Sequence, residues 1–169
     1  MDCFLDSSAL VKVFHVEAGT PFMVGLLEDP GNSIWLTELA RVEFVSAVHR
    51  RFRQGEIREE ELEGALFGFE RQISQFHLLG ITSPVLTEAE SLLRKFGKSE
   101  GLRTLDALQF AAYLLVAGED WTFVCADRRL CGVVRAYGAR VINPDAPVPG
   151  ENRDLGRITS IIRGKNTNQ

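Results

Sequence analysis

Long apolar runs are missing from this chain of 169 residues, and none approaches the ~20 residues of a membrane span. The opening Met1-Asp2-Cys3-Phe4-Leu5-Asp6 carries acid where a secretory signal carries basic residues. A cytoplasmic protein with no membrane contact is the expectation. Cysteine is scarce: Cys3, Cys125 and Cys131 are an odd set without CxxC spacing, which argues against a disulfide framework or zinc ribbon and for buried, reduced thiols. The three histidines, His15, His49 and His77, show no paired ligand spacing. An excess of basic charge is also absent. With 19 basic and 23 acidic side chains the net charge is −4, which excludes a nucleic-acid coat and leaves room for a local basic patch. Two Trp and two Tyr against 11 Phe describe a core and say little about ligands, and no RNP-like aromatic signature argues for base stacking.

What is present is ordinary globular composition, 45% hydrophobic and 25% charged, in a single domain's length without an internal repeat. Short apolar runs alternate with longer amphipathic stretches, the pattern of a mainly parallel α/β sheet. Strands are predicted at 3–5, 33–36, 122–125 and 140–142, with a short strand or extended link within 76–81. Helices are predicted at 7–14, 21–28, 38–53, 58–75, 83–96, 104–117 and 128–137. Asp29-Pro30-Gly31-Asn32 has turn chemistry, Thr37 suits a helix cap, and Gly55 suits a helix stop. Leu62, Leu66, Phe69 and Ile73 mark the apolar face of a helix laid outside the sheet. The domain is expected to end near residue 143. Residues 144–169, opened by Pro144, Pro147, Pro149 and Gly150, read as a partly flexible C-terminal extension whose Arg153, Arg157, Arg163 and Lys165 suit a solubilising tail.

Four acids stand in apolar company. Asp6 follows the strand Cys3-Phe4-Leu5, and Asp127 follows Thr122-Phe123-Val124-Cys125-Ala126. Ligands of open α/β sheets bind just outside the carboxyl ends of strands, where both would sit, although each also suits a helix cap. Glu43 lies outside an apolar arc of Val42, Phe44, Val45 and Val48, on a stripe with Ala40, Ala47 and Arg50; an exposed glutamate is the competing reading. Asp106 opens a helix that is apolar nearly all round, Ala107-Leu108-Gln109-Phe110-Ala111-Ala112, with Thr104 as a rival cap. Two carboxylates about 4 Å apart repel by ~4 kcal/mol at an effective dielectric of 20. Protons or a hard dication relieve that repulsion, and oxygen-only ligands select Mg²⁺ or Mn²⁺ over zinc.

These segments resemble one family. Phe4-Leu5-Asp6-Ser7-Ser8-Ala9-Leu10-Val11-Lys12 resembles the opening of a PIN domain, the nuclease module of VapC-type toxins. Ala40-Arg41-Val42-Glu43-Phe44-Val45-Ser46-Ala47 is similar to its second acidic motif, Arg103-Thr104-Leu105-Asp106-Ala107-Leu108 to its third, and Phe123-Val124-Cys125-Ala126-Asp127-Arg128-Arg129-Leu130 to its fourth. The resemblance runs over about residues 1–143, with the four motifs in family order. It implies an α/β/α sandwich with a central parallel sheet and Mg²⁺- or Mn²⁺-dependent endoribonuclease activity. It further implies a cognate antitoxin and commonly a homodimer. Asp6, Glu43, Asp106 and Asp127 would be the catalytic and metal-holding acids, with Ser8 a supporting hydroxyl. Two positions depart from the family pattern: Cys125 stands where Thr or Ser is usual, and Gln109 where His is common.

An acidic protein needs a local means of holding RNA. His49-Arg50-Arg51-Phe52-Arg53 continues the helix of Glu43, making Arg50, Arg51 and Arg53 candidate phosphate contacts, with Arg128 another. Cations at a helix end also favour its dipole without any ligand. Two other functions compete. A non-catalytic PIN-like interaction module would keep the fold without the chemistry. A phosphatase of the haloacid-dehalogenase sort would need Asp-x-Asp after the first strand, where this chain has Ser8.

Overall fold

The first strand, β1 (Asp2–Leu5), sets the architecture because its side chains are buried on both faces. Cys3 and Leu5 enter one apolar cluster and Phe4 the other, as the two-residue period of a strand requires. The computed structural model describes residues 1–14 and 17–146. Five parallel strands form one sheet in the order β3-β2-β1-β4-β5: β2 is Ser33–Thr37, β3 His77–Leu79, β4 Thr122–Val124 and β5 Val141–Ile142. Helices α1 (Ser7–Leu10), α2 (Thr20–Glu28), α3 (Glu38–Arg53) and α4 (Glu59–Ile73) cover one face. Helices α5 (Ser83–Phe96), α6 (Thr104–Val116) and α7 (Arg128–Tyr137) cover the other. The result is the three-layer α/β/α sandwich that the family resemblance implied, around the parallel sheet predicted from the alternation of runs.

The strand order reverses at β1. The chain winds outward through β2 and β3, then returns to place β4 on the other side of β1. The crevice at such a reversal, beyond the carboxyl ends of the strands, is where α/β sheets accept ligands. Asp6 and Asp127 come just after β1 and β4, and the Asp6 amide donates to the Val124 carbonyl at 2.9 Å.

Local chemistry explains most boundaries. Thr37 Oγ1 accepts from the Ala40 amide at 3.2 Å and starts α3. The chain leaves α3 at Gln54, and Gly55 takes φ of +72°. Two expectations need correction. Residues 7–14 are not one helix: after α1 the chain tightens into a 3-10 turn at Val11–Val13, where the Thr20 hydroxyl takes the Lys12 carbonyl at 2.8 Å. The apolar arc of α3 is also different. Ala40, Phe44 and Val48 are its buried stripe, while Val42 is 66% and Val45 41% exposed. Val42 lies about 160° around the helix from Phe44, too far to share one packing face. The expected extension lies outside the described residues from 147 onward, but its first part is anchored, with Pro144 buried.

Candidate active site

A cleft of about 600 Å³ opens at the reversal point, lined by Ser7, Ser8, Glu43 and Asp127 and also by Lys12, Glu17, Arg50 and Arg51. Asp6 is not on its wall. It is only 4% exposed, and its carboxylate accepts from the Ser8 amide at 3.0 Å and from the Ser8 hydroxyl. The first of these bonds makes Asp6 the cap of α1, the reading that competed with a site role. Ser8 Oγ also accepts from the Ala126 amide at 3.0 Å and the Asp127 amide at 3.3 Å, tying the ends of β1 and β4 to each other.

Cys125 fills the position where a hydroxyl was expected. Its thiol lies 3.7 Å from Asp6 Oδ2 and 3.7 Å from Ser8 Oγ, close enough for a weak sulfur contact with the same carboxylate. Contact with Cys131, followed by burial, pushes this thiol far up, so Cys125 stays protonated. All three cysteines are free and buried, as the sequence suggested.

Glu43 is reached through a relay that sequence reasoning missed. Gln109, fully buried in α6, donates through Nε2 to Glu43 Oε2 at 2.6 Å and accepts from Thr37 Oγ1 at 2.7 Å. A polar residue inside an apolar helix, one turn after Asp106, is the signal that could have found it. Asp106 lies in the first turn of α6, whose cap is Arg103 with no side-chain bond; Thr104 is not the cap. Asp106 Oδ2 is buried and has no hydrogen-bond partner among the described residues. Asp127 is the cap of α7, accepting from the Arg129 and Leu130 amides at 2.7 and 3.0 Å.

The acids feel one another. Burial, aided by the Glu43 charge and opposed by Ser8, pushes Asp6 up to about 6. Burial first, then the charges of Asp6 and Asp127, push Asp106 up to about 6, against the pull of Arg103 and Arg129. Burial and Asp106 also raise Glu43, while Gln109 and Ser7 hold it down. Yet no three His, Cys, Asp or Glu side chains among the described residues are grouped closely enough to chelate one ion as they stand. That is compatible with Mg²⁺, which keeps several waters and takes one or two protein carboxylates plus substrate phosphate. The buried Asp106 Oδ2, without a donor among the described residues, and the all-oxygen donor set fit such an ion.

The basic candidates separate. Arg50 and Arg51 line the cleft, but Arg51 Nη2 is held by Glu17 Oε1 at 2.9 Å. Arg53 and Arg128 are exposed and are not among the cleft-lining residues. Arg103 and Arg129, whose charges act on Asp106, were not singled out for that role by the sequence.

A family model for the PIN domain matches residues 3–134. The chain belongs to the PIN domain family. No curated protein matches it in sequence. Among solved structures it is similar to FitAcB from Neisseria gonorrhoeae, at 17% identity and TM-score 0.61, over 84% of this chain and 97% of that one. It is also similar to VapC20 of Mycobacterium tuberculosis, described as a sarcin-ricin loop cleaving toxin, at 15% identity and TM-score 0.63, over 84% and 99%. VapBC2 from Rickettsia felis, bound to a DNA fragment from its promoter, matches at 16% identity and TM-score 0.56, over 85% and 98%. These likenesses establish the PIN fold. None of the helices among the described residues is long and apolar enough to cross a membrane.

Proposed function

We propose that this PIN domain is a Mg²⁺- or Mn²⁺-dependent endoribonuclease that hydrolyses RNA phosphodiester bonds as the toxin of a toxin–antitoxin pair. The observation that carries this reading is the buried Asp106 Oδ2, which has no hydrogen-bond partner among the described residues, in a PIN domain where burial first and neighbouring carboxylates second raise Asp6, Glu43 and Asp106. Of Asp6, Glu43, Asp106 and Asp127, one or two would hold the cation directly and the others through its waters. When bound, a dication there supplies charge stabilisation for in-line displacement at phosphorus and lowers the pKa of the attacking water.

The chain's own residues do the positioning. Gln109 fixes the Glu43 carboxylate, and Ser8 fixes Asp6 while bridging to the backbone before Asp127. Arg50, on the same side of α3 as Glu43 and about 10 Å along its axis, offers a guanidinium to a neighbouring phosphate. The similarity to VapBC2 supports an antitoxin as the protein partner, and a homodimer accompanies that reading. The test is induced expression of wild type beside Asp6→Asn, followed by mapping of new RNA ends. Growth arrest and new ends from wild type alone are expected. New ends from Asp6→Asn at the wild-type rate would overturn the assignment of the site.

A further inference from the structure

The cleft also has basic walls, at Lys12, Arg50 and Arg51. Lys12, in the 3-10 turn after α1, lines it while being only 6% exposed. A lysine is rarely buried unless its ammonium is paired. Here Nζ meets Asp145 Oδ1 at 2.8 Å and Glu17 Oε2 at 3.8 Å, and donates to the Ala18 carbonyl at 3.1 Å. Arg51 shares Glu17, and Arg50 lines the same cleft with no ion pair among the described residues. Asp145 comes from beyond the stretch matched by the family model, which ends at residue 134.

The Asp145 segment is closely fitted. Gly19 has φ of +84°, and a Cβ there would come within 2.8 Å of both Asp145 Oδ1 and the Pro144 carbonyl oxygen. The Asp145 amide donates to Asn143 Oδ1 at 2.8 Å, which shapes the turn. A carboxylate is thus seated on a buried ammonium inside a cleft that runs on to Glu43 and Asp127. A phosphate oxygen makes the same kind of charge-assisted contact with lysine. Removing the Asp145 charge leaves Lys12 with Glu17, at 3.8 Å, as its remaining ion-pair partner among the described residues.

We propose that Lys12 is a subsite for a backbone phosphate flanking the scissile bond, and that Asp145 holds it as an internal stand-in that RNA displaces. The identity of the polyanion rests on the nuclease reading. The subsite itself is tested without cleavage, by fluorescence anisotropy of a labelled single-stranded RNA oligonucleotide on the full chain in EDTA. Asp145→Asn is expected to tighten Kd by about three- to fivefold, the size of one released ion pair. Asp120→Asn, an equal charge change on the exposed surface, is expected to leave Kd unmoved. Lys12→Met is expected to weaken binding and to abolish the gain from Asp145→Asn, whereas Lys12→Arg keeps that gain.

An unchanged Kd in Asp145→Asn, or equal tightening in Asp120→Asn or in the Lys12→Met background, overturns the proposal. A mere structural clamp would lower Tm in Asp145→Asn without moving Kd, which also overturns it. If Lys12→Met does not fold, the comparison of Asp145→Asn with Asp120→Asn decides alone. Wild type that binds through Lys12 but cleaves nothing when Mg²⁺ or Mn²⁺ is restored removes the nuclease reading and leaves the subsite. A cleaving enzyme whose Kd ignores Asp145 removes the subsite alone.

Discussion

Gln109 is the side chain whose loss separates positioning from chemistry. It bridges Thr37 and Glu43 from a fully buried position, so Gln109→Leu leaves the Thr37 hydroxyl without its acceptor and lets Glu43 turn. Partners of this kind typically contribute 10–100-fold to metal affinity or activity, and a fall of about that size is expected in kcat, with KM for RNA nearly unchanged. Gln109→His keeps a donor and is expected to recover part of the loss. Asp6→Asn and Asp106→Asn, by contrast, are expected to lower cleavage by about a hundredfold or more while the proteins remain folded, as read by thermal unfolding. The burial around Asp6 and Asp106 was legible because carboxylates in apolar surroundings are expensive and stand out in a sequence. Gln109 was less so, since a neutral amide carries no such cost and its partner is 66 residues away. Nothing in the sequence joins Lys12 to Asp145; only the folded chain brings them to 2.8 Å.

Among the elements, α7 poses the clearest question, because Asp127 both caps it and faces the cleft. Asn caps helices about as well as Asp, whereas Ala loses ~1 kcal/mol. Asp127→Asn is therefore expected to keep the wild-type Tm, and Asp127→Ala to lower it by about 2–4 °C. A fall in cleavage common to both variants would identify a role of the charge beyond capping; loss confined to Asp127→Ala would make it structural. Helices Glu38–Arg53, Ser83–Phe96 and Arg128–Tyr137 were readable to the residue, because Thr37, Pro84 and Asp127 mark their starts. The facing of α3 was not. Its valines are spread around the helix, and only contact with α4, where Phe44 stacks on Phe69 at 4.2 Å, selects the Ala40-Phe44-Val48 stripe. The 3-10 turn also escaped, since it depends on Thr20 competing for the Lys12 carbonyl.

At the scale of the whole molecule, burying acids at the strand reversal costs stability, and a cation bound there is expected to restore it. Asp6 and Asp106 are each pushed from 3.8 up to about 6, so between those values the folded protein holds protons that the unfolded chain has released. Their contribution to stability therefore falls as pH rises through that window and stays lower above it. Calorimetric scans of metal-free protein are expected to show this slope, and Asp6→Asn to flatten it. At pH 7, Mg²⁺ or Mn²⁺ at about a hundredfold excess over Kd is expected to raise Tm by about 5–10 °C. At pH 5 the increase shrinks, because protons compete for the same oxygens. A metal shift that is equal at both pH values would separate the cation from these carboxylates.

The most direct measurement is RNA cleavage by purified wild type and Asp106→Asn, first in chelator and then with Mn²⁺ restored. The account predicts no cleavage in chelator, recovery by wild type alone on adding Mn²⁺, and silence from Asp106→Asn throughout. Undiminished cleavage in chelator, or equal recovery by the variant, would contradict it.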